Sequence, residues 1–254
     1  MVAKYGDKSV SYQIRVKQGV DIVPWATGTD EQIVALINAH YEGEVNIYDI
    51  PGWEIGATRT INLSSISGIG YAKSRVEMVL MDTRSKTLAT PINGHTNCLF
   101  VVGVNGIVGE NGIDPQNDAM NWSECFIRDW CNGEFKSAIP STIRPIFKQF
   151  KNSYFSENNI FQCDDYFTLP SEKEILGSNQ YSYNGEGEIF SWYKTTANRK
   201  KLDGNYGKSY WTRSPSKYIS SYNKNWIYID SAGSRSESNN NEITGYGISP
   251  FGVI

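Results

Sequence analysis

Apolar residues alternate loosely with polar ones over residues 5–23, at Val10, Tyr12, Ile14 and Val16, and Val20, Ile22 and Val23 then follow a glycine. This pattern predicts one or two short strands, an N-terminal arm. The period changes at Thr29-Asp-Glu-Gln32, a capping-box sequence. Ile33, Leu36, Ile37 and His40 then recur at helical spacing until Gly43. Pro51-Gly52 marks a boundary. Beyond it, Thr58–Leu63, the apolar run Val76–Asp82 and Leu99–Val104 are predicted strands. The glycine-dotted stretch 103–112 fits neither phosphate-loop pattern and reads as a turn-rich connection.

The middle of the chain turns helical. Asn121-Trp-Ser-Glu124 predicts a helix start that puts Trp122, Cys125, Phe126 and Trp130 on one face. After Pro140, the spacing of Ile143, Ile146, Phe147 and Phe150 predicts a second helix, with Pro145 in its first turn. Ser171-Glu-Lys-Glu174 is a third capping box, and its short helix stops at Gly177. Residues 178–208 read as a long irregular surface loop. Alternation then returns at Asn225–Asp230, followed by a turn at Ser231–Ser234, a polar loop to Asn241 and a final apolar segment. The order predicts an α+β fold whose last strands pair with early ones. Residues 1–50 form an arm and helix, and 51–254 the main domain.

Composition narrows the function classes. The 24 basic and 27 acidic residues include no basic run, which argues against nucleic-acid binding. No stretch approaches the roughly 18 apolar residues of a membrane span, and the start lacks an apolar signal core. Synthesis in the cytoplasm without a leader is therefore expected. The four cysteines, Cys98, Cys125, Cys131 and Cys163, have no regular spacing and are expected to be reduced. Tyrosine and tryptophan are abundant, at 16 and 7, as in β-rich folds and binding surfaces.

Several segments together resemble a known pattern. Leu169-Pro-Ser-Glu-Lys-Glu-Ile175 is similar to the L-P-[ST]-E-x-E segment of the formylglycine-generating-enzyme-like branch of the C-type-lectin-like fold. Trp211-Thr-Arg-Ser-Pro215 and Gly247-Ile-Ser-Pro-Phe-Gly-Val253 resemble the W-x-R-S-P and terminal G-x-x-P signatures of a relative found in phages and prophages of Gram-positive bacteria. Trp122–Asn132 resembles that relative's W-x-x-S-x-[IL]-R-x-W-[LC]-N helix, and Trp53-Glu-Ile-Gly56 its opening. The resemblance covers roughly residues 50–254. It implies a twisted sheet with flanking helices and long loops, and a phage-encoded virion component.

Candidate chemistry is sparse. The enzyme of the resembled superfamily uses cysteines late in the chain, whereas the last one here is Cys163. A serine hydrolase needs a base; only His40 and His95 are present, and His95 has no visible partner. A two-carboxylate glycosidase stays open, although Glu172 and Glu174 are accounted for by their capping box. The calcium loop of sugar-binding C-type lectins is missing. Asp114, Asn117 and Asp118 form the nearest oxygen-rich loop and are the only calcium candidates, set against a turn rich in Asx caps; no cofactor or metal is expected.

Trp122, Trp130 and Trp211 are expected in the core. Arg213 is expected to stack on Trp211 and to bond carbonyls of the closing strand. The binding candidates lie in loops: Tyr181, Tyr183, Trp192, Tyr193, Tyr218, Tyr222, Asn223, Asn225, Asn239, Asn240 and Asn241. Rigid rings mixed with Ser and Asn suit recognition. The expected function is a non-enzymatic virion protein, a capsid decoration or tail component. Its partners would be other virion proteins in a symmetric assembly and a host-surface glycan or protein. The alternatives are a carboxylate-dependent cell-wall hydrolase and a cytoplasmic ligand-binding module.

Overall fold

The computed structural model describes residues 19–114, 119, 121–156, 159–218, 225–239 and 245–254, together with the backbone at 2–5 and 8–11. Those two stretches are strands β1 (Val2–Tyr5) and β2 (Lys8–Ser11), paired antiparallel with each other. Residues 20–24 form no strand, contrary to the pattern. Val20 and Val23 instead pack on the core, and Pro24 lacks the N–H that a ladder needs. The first predicted helix is α1 (Asp30–Tyr41). Gln32 Oε1 accepts the Thr29 N–H at 2.9 Å, and Thr29 Oγ1 accepts the Gln32 N–H at 3.3 Å. Ile33, Leu36 and Ile37 are buried on its inner face.

Strands β3 (Thr58–Asn62), β4 (Arg75–Thr83), β5 (Thr87–Ile92), β6 (His95–Asn97), β7 (Phe100–Val104) and β8 (Gly109–Glu110) follow. All five residues of β7 are buried, as in a strand covered on both faces. A Cβ at Gly103 would fall 2.3 Å from the Met81 side-chain end and 3.2 Å from Phe251 Cβ, so a larger residue there would require Met81 to shift.

Asn121 caps a single 3-10 turn, Trp122–Glu124, and α2 (Phe126–Trp130) starts only after Cys125. A π-turn, Cys131–Phe135, joins α2 to α3 (Lys136–Ala138). The helix predicted from Ile143 to Phe150 does not form. Its apolar spacing belongs to a 3-10 turn at Arg144–Ile146 and to β9 (Phe150–Ser156), which Phe150 opens. Pro140 and Pro145 leave too short a run for an α-helix to propagate.

Next come β10 (Asn159–Asp165), β11 (Phe167–Thr168) and α4 (Glu172–Leu176), which closes at Gly177 with φ of +74°. The stretch 178–208 is more ordered than its composition suggests. It holds a 3-10 turn at Ser191–Lys194, α5 (Thr196–Arg199) and the hairpin β12 (Lys201–Asp203) with β13 (Tyr206–Lys208). The chain ends with β14 (Tyr210–Pro215), β15 (Asn225–Ile229), β16 (Arg235–Asn239), β17 (Gly247–Ile248) and β18 (Phe251–Val253). The stretch expected as a polar loop after Ser234 is therefore mostly strand.

Three larger sheets result, ordered β11-β18-β7-β4-β3, β16-β15-β14-β17-β8 and β10-β9-β5-β6. The last strands do return to early ones: β18 lies antiparallel to β7, and β17 to β8. The fold is α+β, mostly sheet with few helices. α1 packs on the same core. Trp53 Nε1 donates to the Val23 carbonyl at 2.8 Å, and Arg59 bonds the carbonyls of Trp25 and Gly28.

Candidate functional site

The motifs that stand out in the sequence meet inside the molecule. α4 begins with its capping box: Ser171 Oγ accepts the Glu174 N–H at 3.1 Å, and Glu174 Oε2 accepts the Ser171 N–H at 2.8 Å. The box aims the Glu174 carboxylate at Arg213 of β14. Arg213 Nη1 donates to Oε2 at 2.5 Å and Nη2 to Oε1 at 2.9 Å, with both side chains fully buried. Lys86, at the turn between β4 and β5, donates to Oε1 from a third direction. The remaining Arg213 donors go to the carbonyls of Ser153, Leu169 and Glu186. Five N–H groups in a fixed fork suit this many planar acceptors, which an ammonium could not serve. Arg213 therefore does not stack on Trp211 or bond the closing strand as expected. Trp211 packs against Tyr228 and Tyr246, and its Nε1 donates to the Asn111 carbonyl.

Charges explain how this cluster survives burial. Desolvation pushes the Glu174 carboxyl up, but Arg213 and Lys86 outweigh it and hold the group below its ordinary value. Burial lowers Lys86, with Glu174 opposing. Glu186, also fully buried, accepts from Ser214 Oγ and from the Phe155 N–H. Burial raises its carboxyl to about 7. The four groups are neutral together when Glu186 is ionised and net positive when it is protonated.

Glu172 does a different task two residues earlier. Its carboxylate, fully buried, accepts the backbone N–H groups of Gln180, Tyr181 and Ser182 and is paired with Arg235 of β16. This ties down the loop after α4 and presents its rings. Tyr183 stacks on Phe155 of β9 with ring centroids 3.3 Å apart. Tyr181 meets Tyr218 edge-on at 6.3 Å, and the Lys217 N–H donates to the Tyr181 carbonyl. Tyr218 is 59% exposed, and Ile160 and Phe161 on the β10 edge of the same hairpin are 40% and 43% exposed. An exposed aromatic surface thus rests on buried carboxylates.

The other expected site residues divide. Tyr193 is fully buried and is removed from the surface. Trp192 is half-buried over Gly56 and packed on the core. Asn225 is half-buried at the start of β15. Asn239 lies on β16 and is described by its backbone alone, while Tyr222, Asn223, Asn240 and Asn241 lie outside the described residues. Asp114 is buried and accepts the Ala119 N–H, and Asn117 and Asp118 are also outside the described residues. Among the described residues no group of three His, Cys, Asp or Glu is placed to hold a metal.

Trp122 and Trp130 are buried. Trp122 Nε1 donates to Asp165, a buried carboxylate that also accepts from Arg128, Asn132 and Asn152. The π-turn turns Asn132 inward, where its Oδ1 accepts the Tyr166 N–H. All four cysteines are free, three of them buried. His95 does have a partner: its ring centroid lies 5.7 Å from that of His40, which is buried and accepts the Ile47 N–H. Lys86, Asp165 and Glu186 escape sequence reasoning because no local pattern distinguishes them from surface charges.

A family model described as a domain of unknown function (DUF6273) matches residues 100–253, more than half of the chain. The chain belongs to that family. The matched span runs from β7 to β18 and includes Glu172, Glu174, Glu186 and Arg213. No curated protein and no solved structure matches the chain.

Proposed function

We propose that this member of the DUF6273 family is a non-enzymatic surface protein of a phage or phage-like particle, with a C-type-lectin-like fold that presents an aromatic loop surface to a host-surface or particle partner. One observation carries the reading. The Leu-Pro-Ser-Glu-Lys-Glu and Trp-Thr-Arg-Ser-Pro segments place Glu172, Glu174 and Arg213 in the interior, fully buried, as the frame of the surface around Tyr181, Tyr183 and Tyr218. Carboxylates closed off in this way fix geometry rather than meet a substrate. The rings they position are rigid, amphipathic and partly exposed, the combination favoured in recognition surfaces.

In this reading residues 1–50 dock the protein to a neighbouring subunit. Adsorption of the purified chain to host cells tests the surface. Tyr218→Ser combined with Tyr181→Ser should weaken adsorption by about ten-fold or more, as expected for central interface aromatics, while leaving the melting temperature unchanged. Adsorption equal to that of wild type would remove this surface from the account.

A further inference from the structure

The turn that replaces the expected second helix lines an open cleft of about 560 Å³ against β5 and the end of α3. Lys136, Arg144 and Lys148 all line it, together with Ser141, Phe147 and Tyr166. Among the described residues no carboxylate lines it, and none of the three cations makes an ion pair. Three like charges gathered without a counter-charge cost stability, so the cluster calls for an explanation.

The cations are also held in place. Arg144 Nε and Nη2 donate to the carbonyls of Ile139 and Ser137 at 2.7–2.9 Å, bonds that do not use Nη1. Lys148 Nζ donates to the Pro145 carbonyl at 2.7 Å and retains two further protons to give. The Lys136 ammonium sits 3.3 Å from the centre of the Tyr166 ring. Burial, then the Arg144 charge, lowers Lys136, and burial lowers Lys148; a bound anion would relieve both effects.

We propose that this cleft binds a small organic phosphate monoester, its dianionic head among Lys136, Arg144 and Lys148 and its ring or chain against Phe147 and Tyr166. A phosphate dianion balances three cations better than a carboxylate does, and its three terminal oxygens can take donors from all three side chains at once. The volume lies within the roughly 300–1,000 Å³ typical of small-molecule sites. The apolar wall gives an ester more to bind than inorganic phosphate has. The site shares no residue with the aromatic surface, so it stands or falls separately.

Isothermal titration of the full chain with phenyl phosphate, inorganic phosphate and benzoate, at one ionic strength, tests it. Phenyl phosphate should bind saturably and at least about ten-fold tighter than the other two. Lys148→Gln and Lys136→Gln should each weaken it about ten-fold while the melting temperature holds; Arg144 is left intact because it also anchors the Ser137 and Ile139 carbonyls. No saturable heat with phenyl phosphate, equal affinity for benzoate or inorganic phosphate, or affinity unchanged by both lysine substitutions would overturn the proposal.

Discussion

Arg213 and Glu174 meet through two parallel hydrogen bonds, at 2.5 and 2.9 Å, across 39 residues of sequence and with neither side chain exposed. Removing one partner strips the other buried charge of its two-point partner and leaves only Lys86 beside Glu174, or the carbonyls and Glu186 beside Arg213, which costs about 3–5 kcal/mol. Glu174→Gln and Arg213→Met should each lower stability in urea by that order. Arg213→Lys should rescue little, because a single ammonium cannot also serve the Leu169 and Glu186 carbonyls. Equal stability of the lysine variant and wild type would show that the fork geometry does not matter.

Glu172 anchors a loop rather than the core. Glu172→Gln keeps an acceptor but loses the charge that Arg235 and three N–H groups share, a change worth about 1–3 kcal/mol. Amide hydrogen exchange at Gln180, Tyr181 and Ser182 should quicken well beyond the change seen in β7. Exchange that rises equally in both places would mean that Glu172 supports the whole fold and has no particular hold on the loop.

Glu186 and His40 pull stability in opposite directions over one pH range. Burial raises Glu186 to about 7, so its contribution is fully present below the ordinary carboxylate value of 4.5 and is lost as pH climbs through 7. His40 is lowered from 6.5, first by burial and then by His95, so its contribution is present above 6.5 and is lost as pH falls below that value. Relative to Glu186→Gln, wild type should gain stability on acidification from pH 7 to 4.5. Relative to His40→Gln, it should lose stability between pH 7 and 5. Chemical denaturation at half-unit pH steps separates the two, and a flat difference for either variant contradicts the assignment.

Lys201 is fully buried between the rings of Tyr193 and Tyr210, with its ammonium donating to the Val104 carbonyl. Burial lowers it from 10.5 to about 7, so the unfolded chain binds more protons between those values and wild type gains stability as pH rises through the window. Lys201→Met should be more stable than wild type by about 1–3 kcal/mol near pH 7, with the gap closing toward pH 10. The Val104 carbonyl would keep Ser249 Oγ as a partner. A variant less stable than wild type at pH 7 would show that the aromatic rings fully compensate the charge.

What is legible in the sequence follows interaction range. The capping boxes at Thr29 and Ser171 declare themselves because both partners lie within one helical turn. The buried run of β7 and the return of the closing strand are equally plain from apolar patterning. Spacing misleads at Ile143–Phe150, where prolines turn a helical period into a turn and a strand. The frame of the site is the least legible part. Glu174 looks fully explained by its cap, and nothing local to Arg213, Lys86 or Glu186 reveals that the chain folds them onto one another. Tyr193 and Tyr183 sit in similar surroundings in sequence, yet Tyr193 is fully buried while Tyr183 is half-exposed over Phe155.

Quantitative mass spectrometry of gradient-purified particles from lysed cultures decides whether this chain is a particle protein. A particle protein should appear at a constant copy number relative to the major structural protein across the particle peak. Its absence from the particles, with the chain recovered in the soluble fraction, would mean that it is not a particle component.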